Sequence, residues 1–105
     1  MSADIDIRPD HLRLVRDILR CYLPPDAAAW AFGSRATGRA RPASDLDLAV
    51  DAGRVLTPRE TTLLTDAFEE SDLPYRVDLV DLRKTSAAFR AIVERNRVRL
   101  EGASS

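Results

Sequence analysis

Residues 33–47 read G-S-R-A-T-G-R-A-R-P-A-S-D-L-D, and no other stretch restricts the possible folds so strongly. Apolar runs flank it, Ala28 to Phe32 before and Leu46 to Val50 threaded through its end. One strand must therefore deliver the chain to a tight Gly-Ser turn, and a second must carry it away. Side chains alternate across a strand, which predicts that Asp45 and Asp47 share one face while Leu46, Leu48 and Val50 share the other. Two neighbouring carboxylates repel each other and are poorly solvated together. A divalent cation relieves both costs, and hard oxygen donors of this kind suit Mg²⁺. Gly33-Ser34 can present backbone N–H groups and a hydroxyl to an anion, more so if a helix starts there. A phosphate cradle beside metal ligands implies phosphoryl or nucleotidyl transfer.

Such transfer needs charge neutralisation at the phosphorus and in-line positioning of the attacking oxygen, which a pair of metal ions about 3.5–4 Å apart achieves. Two ions call for a third carboxylate on a neighbouring strand. The run Y-R-V-D-L-V-D-L, residues 75–82, offers Asp78 and Asp81. Asp78 lies mid-strand between apolar residues, where an unpaired charge is costly unless it meets a cation, and it is the expected third ligand. Asp81, three positions on, points to the opposite face and reads as a solvated or capping carboxylate. Asp51 shares the face of Asp45 and Asp47 but sits at the strand's exit, where solvation is expected.

The remaining elements follow from periodicity and punctuation. Residues 10–23 carry Leu12, Val15, Ile18, Leu19, Tyr22 and Leu23 at three- and four-residue spacing, a helix ended by Pro24-Pro25. Strands are expected at 28–32, 44–51 and 75–82, with Gly53 closing the second. Thr57-Pro58-Arg59-Glu60 is a capping box with proline at the first helical position, opening a helix whose buried face is Leu64, Ala67 and Phe68. Thr85 or Ser86 caps a last helix bearing Phe89, Ile92 and Val93, and residues 98–100 form a short terminal strand. The order α-β-(turn helix)-β-α-β-α predicts one α/β (α+β) domain over 1–105, a small mixed sheet covered by helices, with residues 1–6 and 102–105 frayed.

A net charge of −1 argues against a dedicated nucleic-acid binder, which carries a basic field. The cations are fifteen arginines and a single lysine, Lys84. The lone Cys21 excludes an internal disulfide and, among the apolar positions of the first helix, reads as a buried structural thiol. No apolar run reaches the ~20 residues needed to span a bilayer, and the N-terminus lacks signal-peptide order, so a cytoplasmic protein is expected. His11, far in sequence from any acid, reads as a surface or packing residue. Trp30 and Phe32 are expected to fill core.

The pattern G-S-x₃-G-x₅-S-D-x-D-L followed by V-D-L resembles the nucleotidyltransferase superfamily of DNA polymerase beta, in its minimal form (MNT-type antitoxins). The resemblance covers residues 28–82 and implies the polymerase-beta-like fold. It implies that Gly33 and Ser34 contact nucleotide phosphates, that Asp45 and Asp47 ligate two Mg²⁺ ions, and that Asp78 ligates one and assists deprotonation of the acceptor hydroxyl. Arg35, Arg39 and Arg41 sit beside that phosphate site, where guanidinium groups can stabilise a triphosphate or leaving pyrophosphate; Arg35, next to Ser34, is the candidate nucleotide contact. Minimal members resemble antitoxins paired with small helical HEPN-type ribonuclease toxins, transferring AMP from ATP to a toxin tyrosine. The resemblance thus implies an ATP-dependent protein adenylyltransferase and a hetero-oligomer. Two other functions fit the same residues: a module that neutralises its partner by contact alone, or the catalytic half of a small-molecule, antibiotic-type nucleotidyltransferase.

Overall fold

The computed structural model describes residues 7–37 and 44–101, apart from the side chains of Ser34, Thr37 and Glu101. The frayed ends expected at 1–6 and 102–105, and the expected roles of Arg39 and Arg41, lie outside the described residues. The elements run α1 (Pro9–Tyr22), β1 (Ala28–Phe32), α2 (Ser34–Thr37), β2 (Leu46–Asp51), α3 (Pro58–Glu69), β3 (Val77–Asp81), α4 (Ala87–Asn96) and β4 (Val98–Glu101). The strands form one sheet in the order β3-β2-β1-β4. β1 pairs antiparallel with β2 and with β4, whereas β2 and β3 are parallel and joined through α3. The sheet is therefore mixed, as the element order predicts.

Strand alternation divides the molecule into two unequal cores. Ala29 and Ala31 of β1 and Leu46, Leu48 and Val50 of β2 face α1 and α3, where Val15, Leu19, Leu64 and Phe68 complete the main cluster. On the opposite face Ala49 meets Leu82 and Val93, with Trp30, Phe32 and Phe89 packed around them. The α4 helix covers part of this second face. Trp30 and Phe32 thus fill core as expected, the latter edge-to-face with Phe89 at 6.0 Å between centroids.

The capping box of α3 forms in full: Thr57 Oγ1 accepts the Glu60 N–H at 3.1 Å and Glu60 accepts the Thr57 N–H at 2.8 Å. Ser86, the second of the two expected caps, accepts the Phe89 N–H and starts α4. Both predicted strands near the candidate site begin two residues late, because the β2–β3 ladder opens with the Leu46 N–H donated to the Arg76 carbonyl at 2.8 Å. Ser44 and Asp45 accordingly precede β2.

Three burial expectations are corrected. Cys21 is exposed rather than buried. Val15 and Leu19 set the inward direction of α1, and a residue two positions past Leu19 lies about 200° around the helix. Tyr22, three past Leu19 but at the helix end, is 41% exposed. Ile92 is 53% exposed because the inward line of α4 runs through Phe89 and Val93.

Candidate active site

Gly33 ends β1 in the left-handed region, φ +77°, and its carbonyl accepts the Ala36 N–H at 3.1 Å as the single turn of α2 begins. The turn rests on the Asp47 carboxylate. A Cβ built on Gly33 falls inside van der Waals contact of Asp47 Oδ2 and 3.3 Å from its Cγ. Only glycine tolerates both the torsion and the approach. The two halves of the sequence motif, eleven residues apart in the chain, therefore meet face to face.

β2 presents Asp47 on the α4 side of the sheet, because Leu46 and Leu48 are committed to the main core. In the parallel register Asp78 stands directly across from Asp47, and Asp81 across from Val50. Asp78 and Asp47 consequently share a face, which Asp45, two residues before Asp47, joins at the strand's entrance. Asp81 is turned the other way. Its Oδ2 accepts the Leu56 N–H at 2.8 Å and its Oδ1 the Arg83 N–H at 2.9 Å, so it ties down the loop ahead of α3. Asp51 is not merely solvated: it accepts from the Gly53 N–H at 2.8 Å and pairs with Arg83 at 2.8 Å. Burial alone would raise its carboxyl, but those bonds outweigh it and hold it below the usual range.

Asp45, Asp47 and Asp78 have no such partner. Among the described residues none of the three makes a hydrogen bond or ion pair, although Asp10, Asp17, Asp51 and Glu60 each pair with an arginine. Burial, then the charges of Asp78 and Asp45, push the Asp47 carboxyl above its ordinary value. A half-buried carboxylate raised by the charges of two others is a site with room for positive charge from outside. Hard oxygen donors on one face fit Mg²⁺. No three acidic, histidine or cysteine side chains among the described residues are gathered into a metal-holding group.

Residues 16–102 match the family model for polymerase beta nucleotidyltransferases. The chain belongs to this family. Among curated relatives, a probable protein adenylyltransferase MntA of Haemophilus influenzae is 46% identical over 93 residues, 89% of this chain and 81% of that one. Among solved structures, a toxin–antitoxin with AMP-PNP superposes with a TM-score of 0.76 at 30% identity, covering 89% of this chain and 74% of that chain. A complex of the tri-AMPylated Shewanella oneidensis HEPN toxin with its MNT antitoxin gives a TM-score of 0.65 at 27% identity, over 88% and 73%. The expected family, fold and enzyme class thus hold for this nucleotidyltransferase. No helix among its described residues is long and apolar enough to cross a membrane.

Arg35, the candidate nucleotide contact, is almost fully enclosed by protein. It is 5% exposed, and its Nε and one terminal nitrogen donate to the Ser44 carbonyl at 3.0 and 2.8 Å. Its guanidinium lies 3.9 Å from the centroid of the Tyr75 ring. Tyr75 Oη is 3.2 Å from His11 Nδ1, which gives His11 the packing role expected of it. Tyr75 carried no signal in the sequence beyond its place ahead of a strand, since its partners lie 40 and 64 residues away.

Proposed function

We propose that this nucleotidyltransferase moves AMP from ATP to a hydroxyl of a HEPN-type ribonuclease partner, a tyrosine on the family pattern, and thereby acts as its antitoxin. The observation that carries the reading is the Asp47 carboxylate against the Gly33 turn, on the face it shares with Asp45 and Asp78, none of the three paired among the described residues. Asp45, Asp47 and Asp78 would hold two Mg²⁺ ions, whose chemistry is to neutralise the polyphosphate and lower the barrier to phosphoryl transfer. Gly33 permits close backbone approach of the phosphates, and the Ser34 hydroxyl donates to them. The acceptor oxygen attacks the α-phosphorus, forming the new O–P bond as the bond to the bridging oxygen breaks and pyrophosphate leaves. Asp78, exposed on the edge strand, takes the acceptor proton.

The adenylyltransferase relative and the AMPylated HEPN complex favour a protein acceptor over a small molecule. Three unpaired carboxylates have no use in a module that acts by contact alone. Intact-mass spectrometry of a HEPN-type partner co-expressed with the wild-type chain and with Asp47→Asn tests the reading. Adenylyl increments are expected with the first and not the second. An unmodified but inhibited partner in both would establish neutralisation by binding.

A further inference from the structure

Three separate segments supply the candidate site: the Gly33-Ser34 turn, the Asp45–Asp47 entry to β2, and the β3 strand that carries Asp78. One buried arginine links all three. Arg35 follows Ser34 within α2, grips the carbonyl of the peptide that leads into Asp45, and stacks on Tyr75, three residues before Asp78. Burying an arginine is costly unless its donors and its face are matched, and the bidentate grip and aromatic platform supply both matches. The platform is itself fixed, because Tyr75 meets His11 of α1 through its hydroxyl and in an edge-to-face ring contact at 5.6 Å.

We propose that Arg35, seated on Tyr75, is a positioning residue that sets the spacing between the phosphate-binding turn and the aspartates. It acts through the Ser44 carbonyl and touches neither nucleotide nor metal. Lysine cannot replace it, having neither the fork that bonds one carbonyl twice nor a planar face. Tyr75 is required for its ring, with the hydroxyl a secondary restraint. The purpose of the clamp rests on the function proposed above, whereas its existence as a local restraint does not.

The test uses the full chain with Arg35→Lys, Tyr75→Leu, Tyr75→Phe and the Arg35→Lys/Tyr75→Leu double variant. Calorimetry reads Mg²⁺–AMP-PNP affinity, and amide exchange reads the backbone without ligand. A shared clamp predicts that Arg35→Lys and Tyr75→Leu each weaken binding about tenfold, that the double variant is little worse than either, and that Tyr75→Phe recovers most of the loss. Amides of Leu46 to Leu48 should exchange about tenfold faster in Tyr75→Leu, while Val15, Leu19 and Val93 keep their protection. Wild-type affinity in Tyr75→Leu, or effects that multiply in the double variant, would show that Arg35 works at the phosphates directly. Uniformly faster exchange would reduce the cluster to general stability, and unchanged exchange would remove the clamp altogether. If Arg35→Lys fails to fold, the leucine and phenylalanine variants of Tyr75 decide. A wild-type chain that binds no nucleotide would overturn the proposed function, leaving the exchange result to judge the clamp.

Discussion

Gly33 is the residue at which chain geometry and chemistry coincide, since its torsion forbids most side chains and its missing Cβ leaves room for the Asp47 carboxylate. Gly33→Ala is expected to cost about 1–3 kcal/mol of stability from backbone strain alone and to displace Asp47 as well. Urea unfolding and Mg²⁺–AMP-PNP calorimetry should both register the change, and an alanine variant that binds like wild type would separate the turn from the site. The two aspartates of β3 should fail in different ways. On the roles proposed for Asp78, metal ligand and base together, Asp78→Asn should lower transfer by ~10²-fold or more at little cost to stability. Asp81→Asn should leave transfer within about tenfold but cost about 1–3 kcal/mol, because one of its two backbone partners loses its acceptor. Rates and melting curves of the pair suffice, and a dead Asp81→Asn beside an active Asp78→Asn would reverse the assignment.

At the scale of elements, local signals were legible and remote ones were not. The α3 capping box spans four residues and could be read directly, and the structure reproduces each bond. Thr57→Ala should therefore cost about 1 kcal/mol, seen as a lower urea midpoint with an unchanged slope. Glu60 is held down to about 2 by its bonds to Arg54 and the Thr57 backbone, so its contribution is present above the ordinary carboxylate range and lost as pH falls toward 2. The faces of Asp45, Asp47 and Asp78 were equally legible, because strand period is two and the apolar neighbours fix the phase. Cys21 and Ile92 were misjudged where a helix stripe is wider than the face it buries; periodicity gives the direction of a stripe but not its edges. The stack of Arg35 on Tyr75 left no trace in the sequence, since it depends on how α1, α2 and β3 assemble. Neither its burial nor its bond to the Ser44 carbonyl can be read from its place beside Ser34.

Taken whole, the molecule sets Asp45, Asp47 and Asp78 on one face, where none of the three is paired among the described residues. The Asp47 carboxyl titrates above its ordinary value of 3.8, so the folded chain binds that proton more tightly than the unfolded chain does. Its contribution is favourable at low pH and is lost as pH rises through the raised value; at neutral pH the ionised cluster opposes folding. Without metal, Asp47→Asn should melt no lower than wild type at pH 7, with the difference vanishing below about pH 4, whereas Mg²⁺ with AMP-PNP should raise the melting temperature of wild type alone. Asp51 and Glu60, held low by their arginines, set the opposite trend in acid. The proposed function requires that those carboxylates drive transfer. The direct measurement is label passing from α-phosphate-labelled ATP to a HEPN-type partner, with wild type and Asp47→Asn, each with and without Mg²⁺. Labelling is expected from wild type with Mg²⁺, reduced ~10²-fold or more by chelation or by the substitution. Equal labelling by Asp47→Asn, or labelling that ignores the metal, would contradict the proposed function.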